Sequence, residues 1–341
     1  MKNWIWFHPH PDEGTKVWQR QLAQMRRAGV DAVLVLVADG ARALYQSRHL
    51  PVVAPVLEQL LPLAAAEGIE VHAWMVCLQC NVPSILHEHA DWYSVSRDGH
   101  SSRDRPPYVG DYQWLCPTRE PVRRFVCAIV DELGAYEGLT GIHLDYIRRP
   151  DVILPAALQP RYGLVQDREL PEYDFCYCDA CRSAFRERTG RDPLLLPDPA
   201  VDAEWVAFRC DSLRDTVSLA AAAARTRGKE ITAAVFATPE LARRYVRQEW
   251  QGWDLDAVMP MIYHHYYSRP ASWVQEAVRQ GVAALPAGRP LYAGLYVAEL
   301  DPAGLGEVMR QCARAGAAGV ALFSGAGMTE AHYAAARGVL A

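Results

Sequence analysis

Eight short runs of β-branched and apolar residues, each followed by a longer stretch, constrain this chain more than any other feature. They are Trp4–Phe7, Ala32–Val37, Glu70–Val76, Gly141–Asp145, Ile231–Val235, Ala257–Ile262, Leu291–Leu295 and Gly319–Phe323. Between them lie amphipathic segments such as Lys16–Ala28, Val53–Glu67, Glu120–Tyr136, Ala203–Arg227, Pro270–Ala284 and Pro302–Ala315, several ending near a glycine suited to a helix C-cap. Strand and helix alternating in this way define repeated βα units and a parallel sheet. Eight units predict an α/β fold, a (β/α)8 TIM barrel. A doubly wound sheet is the alternative, but no Gly-rich phosphate fingerprint follows any strand.

Barrels of this kind run to about 250 residues and more as one unit. The 341 residues therefore read as a single barrel domain over 1–341 with long loop insertions. Two gaps exceed the usual connection of about 2–6 residues, after strand 3 (77–119) and after strand 4 (146–202). Both emerge on the C-terminal face, where barrels carry their active sites.

Lys and Arg number 35 against 40 Asp and Glu, a net charge of −5, and no basic stripe marks a nucleic-acid or membrane-surface partner. No window is apolar over the roughly 18 residues a membrane helix needs. The opening MKNWIWFHPHP is too short an apolar run for a signal-peptide core, so the expected location is cytoplasmic. No feature of the sequence specifies an oligomeric state, which leaves a homo-oligomer open. Nine cysteines in a reducing compartment do not form a disulfide framework, and clustered thiols there are metal ligands or redox groups.

In GLTGIHLDYIRRPD, strand alternation turns Ile142 and Leu144 toward the helices and His143 and Asp145 toward the barrel interior. A carboxylate at the inward C-terminal end of a barrel strand is costly unless used or paired, and Asp145 is the first catalytic candidate. Pairing with Arg148 or Arg149 is the structural alternative. Glycoside hydrolysis needs a second carboxylate. Glu299, just past strand 7, is the best placed by sequence, with Asp39 after strand 2 next and Asp254 and Asp256 before strand 6 behind them. Glu299 is equally suited to the first turn of the helix near Pro302.

Flat rings with polar edges suit a sugar face, and Trp74, Trp92, Tyr93, Tyr108, Tyr112 and Trp114 cluster around the strand-3 insertion, with Tyr263, Tyr266, Tyr267 and Tyr296 after strands 6 and 7. Trp74 and Tyr263 are the favoured site residues among them. His143, Tyr146 and Arg148 flank Asp145 and complete the expected substrate contacts. His8-Pro9-His10 after strand 1 resembles the His-x-His that opens metal-dependent amidohydrolase barrels. His264-His265 after strand 6 fits that alternative, but strand 5 and strand 8 lack the further ligands it requires. Otherwise His8, His10 and His264 are expected to bind sugar hydroxyls or cap helices. A non-catalytic carbohydrate-binding barrel is the remaining alternative.

The blocks GVDAVLVLVADGARALYQS, EGIEVHAWMV, CPTREPVRRFV, LTGIHLDYIRRP and LDAVMPMIYHHYY, in that order, resemble glycoside hydrolases of the glycosyl-hydrolase-like family 10 type. Their hallmark is a strand-4 segment close to DGIHLDYIRYP and a strand-6 segment close to DFVVPMAYT. The resemblance spans about Trp4 to Phe323 and implies a barrel acting on glycosidic bonds, with Asp145 central. Arg149 stands where that pattern has tyrosine.

CYCDACRSAFRERTG is similar to the zinc-binding run of glycoside hydrolase family 42 β-galactosidases, which carry a fourth cysteine before a proline. That resemblance implies a structural Zn²⁺ held by Cys116, Cys176, Cys178 and Cys181. The family's strand-4 Asn-Glu pair is absent, so its acid/base residue does not carry over. Four thiolates close the metal's shell and leave no position for water, so such a site would clip the two insertions together. Cys77-Leu78-Gln79-Cys80 is a rival source of the fourth ligand, expected to line the pocket, whereas Cys127, Cys210 and Cys312 read as buried helix residues.

Overall fold

A computed structural model describes residues 1–340. The elements run β1 (Lys2–Phe7), α1 (Thr15–Arg27), β2 (Ala32–Ala38), α2 (Val56–Ala66), β3 (Glu70–Val76), α3 (Pro83–Glu88), α4 (Glu120–Gly134) and β4 (Gly141–Asp145). They continue α5 (Asp179–Thr189), α6 (Ala203–Thr226), β5 (Glu230–Phe236), α7 (Pro239–Val246), β6 (Ala257–Met261), α8 (Trp273–Ala284), β7 (Tyr292–Tyr296), α9 (Pro302–Arg314), β8 (Gly319–Phe323) and α10 (Glu330–Leu340). The eight strands form a closed parallel barrel in sequence order, β8 pairing back onto β1 through Trp4↔Ala321. The fold is a (β/α)8 barrel, and all eight strands lie where the apolar runs placed them.

Strand alternation divides the apolar residues into two cores. Outward side chains such as Ile142 and Leu144 of β4 pack against the helix ring in the large outer cluster. Inward ones, led by Trp4, Trp6, Trp74, Met259 and Tyr292, fill the barrel. Three indoles in one barrel leave little room beneath the mouth, so the interior is packed to the level of Trp74 and open only above it.

The barrel is not equally knit all the way round. Five residue pairs join β3 to β4 and five join β7 to β8, but β6 meets β7 at Met261↔Gly294, with one further bridge at Val258↔Leu291. Pro260 in β6 has no N–H to give the ladder. Gly294 faces it so closely that a Cβ would meet the Pro260 carbonyl at 2.6 Å. Strand β6 accordingly stops at Met261, one residue short of the expected Ile262, whose N–H still reaches the Gly294 carbonyl at 2.9 Å.

The insertions carry structure of their own. The first contains α3 and returns across the mouth through the bridges Gln79↔Trp114 and Tyr93↔Leu115. The second contains α5, whose cap is Gly190 in the left-handed conformation at φ 74°. The bridge Ser96↔Phe175 ties the two together. Beneath that bridge a third apolar cluster gathers Cys116, Phe175, Cys176, Tyr177, Cys178, Cys181, Phe185, Trp205 and Phe208. Asp174 and Arg209, both fully buried, pair within the same unit, and Asp174 also accepts from Tyr177 Oη at 2.6 Å.

Candidate active site

Asp145 ends β4 with its carboxyl turned into the mouth, opposite Val76 of β3. Its Oδ2 accepts a hydrogen bond from Trp74 Nε1 at 3.0 Å. Its Oδ1 accepts from the Tyr146 amide at 2.7 Å, and Tyr146 itself takes a left-handed φ of 50°. Burial pushes the Asp145 pKa above the usual carboxylate range, against the opposing pull of the Tyr146 amide, the Arg148 charge and Trp74. The result is a carboxyl that retains its proton to higher pH than an exposed aspartate, as a general acid requires.

Above Asp145 lies a cavity of about 570 Å³. The barrel contributes Trp6, Trp74, Phe236 and Phe323, and the loops contribute His8, Tyr146, Tyr263, Tyr266 and Tyr267. The rings form a continuous wall, His8 edge-on to Trp74 at 4.7 Å and Tyr263 near-parallel to Phe323 at 5.7 Å. The strand-3 insertion adds Gln79, Tyr108, Asp111 and Tyr112. Arg148 is buried in the same wall. It donates to Asp151 Oδ2 at 2.9 Å and to Tyr112 Oη at 2.5 Å, and lies 4.8 Å over the Trp114 ring. Arg148 is thus neutralised by Asp151 and leaves Asp145 without a direct ion pair.

Of the residues expected at the site, Asp39, Trp74, Asp145, Tyr146, Arg148, Tyr263 and His8 line this cavity. His143 lies beneath it, fully buried, bonded to Trp6 Nε1 at 3.1 Å and Thr232 Oγ1 at 2.9 Å, where burial holds its pKa well down. His10 lines a second cavity, of about 330 Å³, which shares His8, Leu36 and Asp39 with the first. Tyr296 and His264 are placed outside the lining, at the rim, where Tyr296 stacks on His265. Glu299 closes a single 3-10 turn after β7, half exposed and off the lining, 4.0 Å from His265 Nε2. That turn sends the chain outward directly after Tyr296.

Three other carboxylates do line the cavity. Asp39 is held by Arg42 and the amides of Ala41 and Arg42, and Asp151 by Arg148 and Tyr112. Asp111 projects from the strand-3 insertion into the same lining as Tyr146, whose phenol pKa is raised first by burial and then by the surrounding carboxylates Asp145, Asp151 and Asp111. Sequence reasoning passed over Asp111 and Asp151. Asp111 stands immediately before Tyr112, one of the aromatic residues already noted in that insertion, and this adjacency was the available signal.

The four cysteines Cys116, Cys176, Cys178 and Cys181 come together although 60 residues separate the first from the next, with all four sulfurs within 4.8 Å of one another. Cys116 Sγ lies 3.4 Å from Cys181 Sγ and 3.7 Å from Cys178 Sγ. Those separations are far beyond a disulfide bond of about 2.05 Å. They are close to the roughly 3.8 Å edge of a tetrahedron with Zn–S bonds of about 2.3 Å. Burial opposes ionisation of all four. Even so, neighbouring sulfurs and Arg149 pull Cys116 well below the ordinary thiol range and Cys176 is also lowered, whereas Cys178 and Cys181 are pushed up. Sulfurs this close cannot all ionise without a cation among them, so the donor set fits a soft divalent metal. Among the described residues no other group of three or more His, Cys, Asp or Glu gathers in this way, and His8 and His10 have no such partners. Cys77 and Cys80 are buried away from the cavity lining, contrary to the expectation that they would line it. Both belong instead to the outer core.

Similar architectures occur among glycoside hydrolases. The PgaB (BpsB) glycoside hydrolase domain of Bordetella bronchiseptica matches with a TM-score of 0.75 at 16% identity, over 100% of this chain and 99% of that one. A β-galactosidase from the Antarctic haloarchaeon Halorubrum lacusprofundi matches with a TM-score of 0.70 at 15% identity, over 100% of this chain and 57% of that one. The catalytic domain of a Paenibacillus polymyxa β-amylase matches with a TM-score of 0.68 at 12% identity, covering 97% and 94%. At these identities the likeness is one of fold. No family model and no curated protein sequence matches the chain. No helix among the described residues is long and apolar enough to cross a membrane.

Proposed function

We propose that this protein is a glycoside hydrolase that cleaves a glycosidic bond in an oligosaccharide or glycan fragment, with Asp145 as its general acid. The observation that carries this reading is a largely buried carboxyl with a raised pKa at the C-terminal end of β4, facing an aromatic-walled cavity. A protonated acid so placed can donate to a leaving glycosidic oxygen while the rings of Trp74 and Tyr263 hold the sugar faces. The sequence resemblance to the glycosyl-hydrolase-like family 10 type and the fold shared with glycoside hydrolases point the same way. The whole chain then acts as one catalytic unit.

The second carboxylate is drawn from two positions. Glu299 lies at the rim, off the lining, whereas Asp111 lines the cavity that holds Asp145, which favours Asp111 as the nucleophile or the base for water. The four cysteines would hold one structural Zn²⁺, which supplies cross-linking between the insertions and no chemistry on the substrate. Nine free cysteines suit a reducing compartment such as the cytoplasm.

The test is turnover on a panel of glycans by wild type, Asp145→Asn, Asp111→Asn and Glu299→Gln. Asp145→Asn is expected to lose at least about 10²–10⁴-fold in kcat, the usual contribution of a positioned acid. Asp111→Asn should lose far more activity than Glu299→Gln. Full activity in Asp145→Asn would remove the assignment, and binding without turnover in the wild type would make the protein a carbohydrate-binding barrel.

A further inference from the structure

Arg149 lies four residues beyond Asp145, in the loop that follows β4, and its side chain leaves the mouth for the interior of the insertion. Its backbone N–H is held by the Val246 carbonyl at 3.2 Å. Its Nη2 donates to Ser212 Oγ of α6 at 2.7 Å and reaches Thr118 Oγ1 at 3.4 Å. The same Thr118 hydroxyl accepts from Cys181 Sγ at 3.2 Å, so one oxygen joins the guanidinium to the thiol set. The residue is 1% exposed, yet its Nε and Nη1 find no hydrogen-bond acceptor. All four thiols bear on its charge. Arg119 also feels Cys116 and Cys178, but Asp179 and Asp91 near the surface already engage it.

A buried arginine with two unused donor nitrogens is expensive unless a negative charge faces it. Four thiolates around one divalent ion carry two net negative charges in an apolar cluster, which is equally expensive without a cation nearby. Each charge answers the other.

We infer that Arg149 is the counter-charge of the metal-loaded thiol set, a positioning residue that fastens the Tyr146–Asp151 loop, and through it Asp145, to the metal knot. The inference rests on the zinc reading above. With the metal removed, the thiol set no longer holds a fixed anionic cluster for Arg149 to face, and the loop loses that anchor while the barrel strands keep theirs.

The experiment uses the full chain, purified with its metal. Zinc content and zinc affinity by chelator competition are measured for wild type, Arg149→Met and Arg149→Lys, together with hydrogen exchange across residues 146–151 before and after metal stripping. Arg149→Met should weaken zinc binding by about 10–100-fold, as loss of an outer-shell partner does, while Arg149→Lys keeps most of the affinity. Stripping the wild type should speed exchange in 146–151 by about tenfold or more, and zinc-loaded Arg149→Met should already show the faster rate. Wild-type affinity in Arg149→Met, or a 146–151 segment indifferent to stripping, would overturn the inference while leaving the zinc site in place. A wild type that binds no zinc overturns the metal assignment and this inference with it. If Arg149→Met does not fold, Arg149→Lys is compared with Arg149→Gln. At least tenfold tighter zinc binding by the lysine variant supports the charge role, and equal binding refutes it.

Discussion

Trp74→Phe isolates one hydrogen bond and turns it into a pH shift. The indole N–H donates to Asp145 Oδ2 at 3.0 Å and favours the ionised carboxylate, so it acts against the burial that raises the pKa. Phenylalanine keeps an aromatic ring near His8 and Phe323 and removes the donor together with the pyrrole half of the indole, space that water from the cavity can fill. A hydrogen bond to a charged group contributes about 1.5–3 kcal/mol, and one pKa unit corresponds to about 1.4 kcal/mol, which gives about 1–2 units. The cavity opens to solvent and water can replace part of the lost contact, so the lower figure applies. The sign follows directly. Loss of a contact to the ionised form raises the pKa further, and an acid that must hold its proton then works to higher pH. If the proposed glycosidase activity is found, the alkaline limb of its kcat/KM profile should move up by about one unit, and a ¹³C titration of the Asp145 carboxyl should move with it. A limb that stayed fixed or moved down, with the NMR pKa shifted upward, would show that Asp145 is not the acid. An unmoved NMR pKa would refute the hydrogen-bond argument itself.

Asp145→Asn should also unfold at a higher temperature than wild type. The folded carboxyl has a raised pKa, so its relative stability is fully present at low pH and is lost as pH rises through that pKa. Thermal melts at pH 8 and pH 4 should therefore show the variant ahead at pH 8 and the gap closing at pH 4. Gly141→Ala would place a Cβ 2.4 Å from His72 Nδ1 and 2.7 Å from the Glu230 carbonyl, at the base of β4 where backbone cannot yield. Denaturant titration should register about 1–3 kcal/mol of lost stability. Asp174→Ala would strand Arg209 without its buried partner and should cost about 3–5 kcal/mol, read as early loss of insertion structure.

The barrel was legible because each strand has to bury both of its faces, leaving uninterrupted apolar runs such as AVLVLVA and GIHLD. Short helices were not. PELARRYV is only eight residues, a two-turn segment whose periodicity leaves little room to mark its bounds between strands 5 and 6. Asp145 could be found because its place depends on strand alternation alone. Glu299 could not be placed in the same way, since three residues of 3-10 turn after Tyr296 decide its direction, and no pattern in VAEL records that turn. Asp111 and Asp151 reach the cavity through insertions whose paths are set by contacts between distant segments, such as Tyr108 Oη to the Asp151 carbonyl at 2.6 Å.

The sparse pairing of β6 with β7 gives the barrel a direction in which to breathe. Seven of the eight junctions resist opening with ladders of hydrogen bonds, while this one, with Pro260 mute at its middle, separates at lower cost. Met261 and Tyr263, which line the cavity, and Tyr296 at its rim sit just above that junction. Transient widening there would part the aromatic wall opposite Trp74 and leave Asp145 on the rigid half. Under the proposed function, a glycan would pass most easily on the β6–β7 side of the pocket, away from the β4 end that carries Asp145.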